Sequence, residues 1–346
     1  MSSVYKVHVF PALYNGRFLG CVATSDIEKG SLILTENSKM CGVPEEKMGS
    51  SEWIKILLKS FYQMSKADQH EYMTLHNSFK NSEDIQNCKE IRDWRDRKIE
   101  AVKIEIGKIE QNSEKAEEIL KTVGICSTNC FKGSSVYFKV SRFNHSCQPN
   151  AMIEDVNGQM QLRAIGKIKE GKEINWNYLD EFFGFRNRKY RRQNLLERGG
   201  FLCCCELCEN EVDVDAEAFE AFIQEAENLT KRRESISLHP FHLAQCYSVE
   251  NCRQEMMCYK NLYNVGKEQK IQPYFLFMML HKGFVAATTG HQLFKATGAT
   301  DLKDDAMKFA KAAEKFGKIL GNDVVTQGNA FSYKQIYQDV VDKAGY

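Results

Sequence analysis

Arg142-Phe-Asn-His-Ser-Cys-Gln-Pro-Asn150 is the stretch on which the reading of this chain turns. It packs two asparagines, a histidine, a serine and a cysteine into residues 144–150. Taken alone, Asn144-His145-Ser146 also suits a polar loop, and an isolated histidine is more often a satisfied structural residue than a catalyst. The residues after Asn150 raise its interest. Ala151 to Val156 and Gln159 to Ile165 flank Asn157-Gly158, a dipeptide that tolerates positive φ at both centres of a hairpin turn. After a second turn at Lys169-Glu-Gly-Lys172, the residues Ile174, Trp176 and Tyr178 alternate with Glu173, Asn175 and Asn177. A strand there presents Tyr178 on the same side as a large aromatic.

Further along stands Phe201-Leu-Cys-Cys-Cys-Glu-Leu-Cys208. Four cysteines in six positions cannot all be buried apolar groups of one element. Thiolates at Cys203, Cys205 and Cys208 can converge on one ion where the backbone turns tightly, and structural zinc takes four ligands in a tetrahedron. The run supplies C-x-C-x-x-C, so a fourth ligand comes from elsewhere. Cys147 is a candidate, and Cys204 is either a ligand or a spacer. Free thiols or a redox relay are the plainer alternatives.

The chain has 346 residues and thirteen cysteines, which makes their compartment matter. The N-terminus lacks a basic segment followed by an unbroken apolar run, so it does not read as a signal peptide. Its longest apolar candidate, Tyr274 to Leu280, falls far short of the roughly 18 residues that span a bilayer. A reducing cytoplasmic or nuclear setting is expected, with no membrane partner, and disulfides are rare there. Lys and Arg number 47 against 46 Asp and Glu, so the formal charge of +1 argues against a nucleic-acid partner.

Three other blocks complete the chain. Residues 4–36 read as strands broken by turns at Asn15-Gly16 and Asp26–Gly30. Residues 51–120 read as helices, with Trp53, Ile54, Leu57, Leu58, Phe61 and Met64 at helical spacing and a second helix over Lys66–Asn77 capped by Ser65. Strands return over 122–180. From about 212 onward the pattern is helical, and Phe309, Ala312, Ala313, Phe316, Ile319 and Leu320 form an apolar stripe ended by Gly321. The run Arg186-Asn-Arg-Lys-Tyr-Arg-Arg192 reads as a solvated helix face.

The order N-H-S-C-x-P-N, a strand ending in tyrosine, then C-x-C-x-x-C resembles the SET-domain lysine methyltransferases. Asn15-Gly-Arg-Phe-Leu-Gly-Cys-Val-Ala-Thr24 and Ile27-Glu-Lys-Gly30 look like that family's opening strand pair. The helical block between the two halves and the helical tail look like the SET-and-MYND subfamily. Residues 37–121 contain only Cys41 and Cys88, so the chain looks like a relative without the MYND zinc finger. Two positions depart from the pattern: Phe18 stands where a first glycine is expected, and Gly199 where a tyrosine often precedes the cysteines.

The resemblance implies an α+β fold in five parts: the first SET segment over 1–40, a helical insert over 41–121, the SET core over 122–182, a post-SET zinc segment over 183–210 and a helical C-terminal domain over 211–346. It implies S-adenosylmethionine as methyl donor and a protein or peptide lysine as acceptor, in a monomer. Arg17 and Leu19 would approach the cofactor's methionine end, Ser141 and Arg142 would line it through their backbone, and Asn144 and His145 would hold its two ends. Phe201 would pack on the adenine, and Tyr178 would place its hydroxyl near the transferring methyl. Cys147, Cys203, Cys205 and Cys208 would hold one structural zinc. The competing expectation is a non-catalytic SET-fold protein that binds peptides or partners.

Overall fold

The computed structural model describes residues 4–11, 17–40, 48–80, 88–131, 135–156, 158–179, 186–210, 217–235, 248–268 and single helical positions between 276 and 308. The chain divides into two compact units, one formed by 1–178 with 191–210 and the other by 179–190 with 211–346.

The first unit is built on short strands. β1 (Tyr5–Pro11) and β2 (Arg17–Ala23) pair antiparallel in register from Tyr5↔Ala23 to Pro11↔Arg17. β3 (Leu32–Asn37) joins β7 (Ala151–Val156) and β8 (Gln159–Ala164) in a three-stranded sheet of order β3-β8-β7. The turn between β7 and β8 places Gly158 at φ +81°, as the Asn-Gly pattern demands. β9 (Glu173–Trp176) enters the other sheet, of order β1-β2-β9-β6, where it lies antiparallel to β2 and parallel to β6 (Asn144–His145). A parallel pair needs a long crossover, and the β7–β8 hairpin supplies it. A small pair, β4 (Cys130–Phe131) with β5 (Ser135–Val136), lies at the entry to the second half.

Helices occupy the region between β3 and β4. α1 (Ser51–Gln63) is capped by the Ser50 side chain and buries Trp53, Ile54, Leu57 and Phe61. α2 (Lys66–Tyr72) is capped by Ser65, as its sequence suggests, but ends five residues before Asn77. Tyr72 closes it: the ring is fully buried and its hydroxyl donates to the Thr122 carbonyl at 2.7 Å. The charged stretch forms two helices, α3 (Lys89–Gly107) and α4 (Ser113–Asn129), with Asn112 capping the second. α4 overruns the expected return to strands at 122, because Val123, Ile125 and Cys126 extend its buried face. One apolar core joins Trp53, Phe61, Tyr72, Val123 and Ile125 to Met40, Val136 and Phe138, so the insert shares its interior with the strand segments on either side. Each such fully buried side chain contributes about 1.5–3 kcal/mol.

α5 (Arg188–Gly199) passes from the second unit into the first, and the short α6 (Glu206–Asn210) comes after the cysteine run. In the second unit α7 (Glu217–Ser235) packs on α8 (Val249–Glu268) through Ile223, Ala226, Leu229, Tyr259 and Leu262. The basic run departs from a solvated face. Arg186 is buried and donates to Glu220 at 3.2 Å and Glu227 at 2.8 Å, and Arg191 is buried too. The stripe from Phe309 to Leu320 and Gly321 lies outside the described residues. Among the described residues, no helix is long and apolar enough to cross a membrane.

Candidate cofactor and metal site

A buried carboxylate sets up the segment that enters the Asn-His motif. Glu36, at the end of β3, accepts the backbone N–H groups of Lys139 and Val140 at 2.9–3.1 Å. These groups begin the 3₁₀ turn Val140–Arg142, whose first N–H groups have no partner within the turn itself. Burial pushes the Glu36 carboxyl up, and the two N–H bonds pull it part of the way back. The first strand segment thereby grips the second one across the helical insert.

Beyond the turn, Asn150 staples the motif to β9. Its side-chain Nδ2 donates to the Glu173 carbonyl at 2.8 Å, and its Oδ1 accepts the Asn175 N–H at 3.0 Å. With the Ser146 N–H donating to the Trp176 carbonyl at 3.0 Å, this fixes the register of β6 on β9. Asn144 then donates its side-chain amide to the Glu173 carboxylate at 2.8 Å. Burial raises Glu173 above the usual carboxylate range, and the Asn144 bond opposes that rise.

His145 is held at both ring nitrogens. Nδ1 accepts the Tyr178 N–H at 3.0 Å, so Nδ1 carries no proton and the proton of the neutral ring sits on Nε2. Nε2 stands 3.2 Å from Cys147 Sγ and donates to it. Burial, aided by the Arg191 charge and opposed by Cys205, drives the imidazole down to about 3, which fits a ring that stays neutral. Both nitrogens are used inside the protein, so only the ring face and backbone of His145 can meet a ligand.

The four cysteines expected to form a metal centre do converge. The sulfurs of Cys147, Cys203, Cys205 and Cys208 all lie within 4.8 Å of one another. Cys147 Sγ is 3.9 Å from Cys203 Sγ and 3.6 Å from Cys208 Sγ. Four thiolates around zinc at about 2.3 Å stand roughly 3.8 Å apart along the edges of the tetrahedron, so the donor set and its size fit that ion. Hydrogen bonds from Cys147, Cys203 and Cys208 hold Cys205 well below an ordinary thiol, and those from Cys147 and Cys203 bring Cys208 down to about 7. Arg191 donates to Cys208 Sγ at 3.6 Å and Arg192 to the Cys203 carbonyl at 2.7 Å. These guanidiniums oppose the net negative charge that four thiolates leave on a divalent ion. Cys204 is not one of the four.

Aromatic rings gather beside this cluster. Tyr178 lies two residues beyond the end of β9. Its hydroxyl donates to the Phe143 carbonyl at 2.6 Å, and burial pushes the phenol up. Its ring centroid is 4.6 Å from Trp176, 5.3 Å from His145 and 6.2 Å from Phe201 in an edge contact. Gly199, where the pattern favours tyrosine, faces Phe201: a Cβ there would sit 2.9 Å from the Phe201 ring. The small residue at 199 is what lets Phe201 lie over His145.

The remaining expected residues are placed by their backbones. Arg17 and Leu19 lie in β2 opposite Pro11 and Val9. The Ser141 hydroxyl donates to the Asn129 carbonyl at 3.3 Å and the Arg142 guanidinium to Thr74 at 2.9 Å. Both side chains are thus engaged elsewhere, leaving the backbone for any ligand. Sequence reasoning gave no role to Asn150, Glu36 or Glu173. Asn150 closes the quoted motif and so carried a signal; the two glutamates carried none, because their partners are distant in the chain.

With this geometry in view, residues 19–179 match the family model of the SET domain, and the chain carries that domain. The Histone-lysine N-methyltransferase SET5 of Saccharomyces cerevisiae (strain YJM789) is 38% identical over 98 residues, covering 28% of this chain and 18% of the yeast protein. The Histone-lysine N-methyltransferase SMYD3 of Homo sapiens is 28% identical over 157 residues, covering 43% of this chain and 36% of the human protein. The chain therefore spans little more than a third of these relatives at most. The solved structure of Rubisco LSMT bound to sinefungin and monomethyllysine aligns at TM-score 0.37 and 12% identity over 99% of this chain and 89% of that one, a likeness too distant to carry weight.

Proposed function

We propose that this chain transfers methyl from S-adenosylmethionine to the ε-amine of a protein lysine. The observation that carries the reading is the double anchoring of Tyr178, whose N–H is tied to His145 Nδ1 and whose hydroxyl is tied to the Phe143 carbonyl. Those bonds fix the phenol against the Asn-His motif, with its ring in edge contact with Phe201.

When bound, the cofactor supplies an electrophilic methyl on a positively charged sulfur. The residues of this chain have four tasks. Asn144 and the backbone of the 141–145 segment bind; Phe201 offers an apolar ring face. Tyr178 orients the incoming amine, since its hydroxyl donates to Phe143 and keeps its oxygen lone pairs as acceptors. The packed rings of Trp176, Tyr178 and Phe201 exclude water, which disfavours the charged ammonium. A lysine with an ordinary pKa of about 10.4 must lose its proton before attack, so that exclusion is part of the chemistry. His145 is not available as a base, because both its nitrogens are engaged; the proton leaves to water.

Zinc held by Cys147, Cys203, Cys205 and Cys208 would have no open position and would act structurally, tying the Phe201 segment to the Asn-His loop. Support for the reading comes from the SET domain match and the relatives' names.

The test is incubation with methyl-labelled S-adenosylmethionine and arrays of lysine peptides, histone and non-histone, with modified residues located by mass spectrometry. Labelled lysine is the expected result. Cofactor binding without transfer to any peptide would favour the non-catalytic partner-binding reading, and no cofactor binding would overturn the methyl-transfer reading outright.

A further inference from the structure

Glu173 occupies a place where a carboxylate is costly. It lies on β9, the strand between β2 and β6, and is partly buried. Among the described residues its carboxylate has one hydrogen-bond partner, the side-chain Nδ2 of Asn144 at 2.8 Å. The opposite end of that amide, Asn144 Oδ1, accepts no hydrogen bond from the described residues and is not sealed from solvent.

A carboxylate only accepts hydrogen bonds, whereas an amide has a donor end and an acceptor end. An asparagine beside a hydroxyl or another amide can turn either end toward it. Beside an ionised carboxylate it cannot: Nδ2 faces the charge, and Oδ1 is committed to the other side. Asn150 holds β9 against the motif, so Glu173 cannot drift away from Asn144.

We infer that Glu173 is a positioning residue: it locks the Asn144 side chain in the orientation that offers an acceptor to the ligand, so the site selects a ligand carrying a hydrogen-bond donor at that point. This rests on the reading that Asn144 holds S-adenosylmethionine. Of the donors in that cofactor the α-ammonium group is the charged one and so the strongest match to an amide oxygen; S-adenosylhomocysteine shares it and its deamino analogue lacks it. Glu173 acts through Asn144 and not through its own charge on the sulfonium.

Calorimetry on the full chain separates these roles. The probes are S-adenosylmethionine, S-adenosylhomocysteine and deamino-S-adenosylhomocysteine. The wild type is expected to prefer S-adenosylhomocysteine over the deamino analogue. Glu173→Leu is expected to cut that preference roughly tenfold, the size of one charge-assisted hydrogen bond. It should weaken the two amino-bearing ligands alike. Glu173→Gln, which keeps an acceptor oxygen but no longer enforces the amide's direction, should fall between. In an Asn144→Ala background, Glu173→Gln should change the preference little further, because the two residues act as one unit.

A general loss of packing would weaken all three ligands equally and leave the preference intact. That outcome, or a selective loss of S-adenosylmethionine over S-adenosylhomocysteine, would overturn the inference while leaving the function standing. Failure of the wild type to bind any of the three would remove the functional reading and this inference with it.

Discussion

Gly200 lies so close to the Trp94 ring that a Cβ at position 200 would overlap the indole. The glycine is also at φ +72°, a conformation that L side chains rarely adopt. Trp94 belongs to α3 of the insert, and its Nε1 donates to the Glu197 carbonyl at 3.0 Å. The insert thus fixes the bend from which the chain runs to Phe201 and the cysteines. Gly200→Ala combines a strained φ with overpacking against a rigid ring, and should cost about 2–4 kcal/mol. Chemical denaturation measures it; a loss under half a kcal/mol would mean that the bend adapts freely.

Purified chain should contain about one zinc, because the thiol set offers four ligands and no more. Cys205→Ser or prolonged chelation should release it. The segment from Gly200 to Asn210 should then become sensitive to protease, since the metal ties it to Cys147. Metal analysis with limited proteolysis checks both parts, and a Cys205→Ser protein that keeps full zinc would rule out this ligand set.

Tyr178→Phe should leave cofactor affinity within about threefold, because the ring contacts persist. Turnover should fall about a hundredfold with the loss of the oriented oxygen. Loss of the bond to Phe143 should lower stability by about 1 kcal/mol. Single-turnover kinetics beside a cofactor titration separates the effects; equal labelling by mutant and wild type would remove Tyr178 from the chemistry.

Glu173 predicts a pH dependence of stability. Its folded pKa is raised above the ordinary value of 4.5 by burial, with the Asn144 bond opposing. The native chain therefore binds more protons than the unfolded chain between those two values. This contribution is fully present below the unfolded pKa and is lost as pH rises through the folded one. Glu173→Gln abolishes the titration. The stability of wild type minus that of E173Q should decline from about pH 4 upward and level off once the carboxyl is ionised. Urea melts across a pH series give the curve, and a difference that climbs with pH would contradict the burial argument.

Much of the site was legible because its residues lie in short local patterns. Asn144-His145 and the C-x-C-x-x-C run can be read without knowing where anything packs, and so can the alternation that brings Trp176 and Tyr178 to one side. The helical insert was legible in kind but not in extent. Periodicity does not say that Tyr72 will close α2 by reaching Thr122, or that buried Val123 and Ile125 will carry α4 on to Asn129.

What the chain by itself determined is its chemistry: which thiols can ligate, which phenol and amides stand near the motif, and that a SET domain would form around them. What only the tertiary structure decided is how those groups are held. Glu36 meets Val140 across 104 positions and Glu173 meets Asn144 across 29. The first joins β3 to the 3₁₀ turn and the second joins two strands made neighbours by sheet order, and no local pattern encodes either. The same holds for Gly199: in sequence it is a missing tyrosine, and in space it is the clearance that Phe201 needs to reach His145. Sequence sets donors, acceptors and volumes along the chain, but whether a carboxylate meets an amide or a glycine meets a ring depends on contacts that form only when distant segments pack.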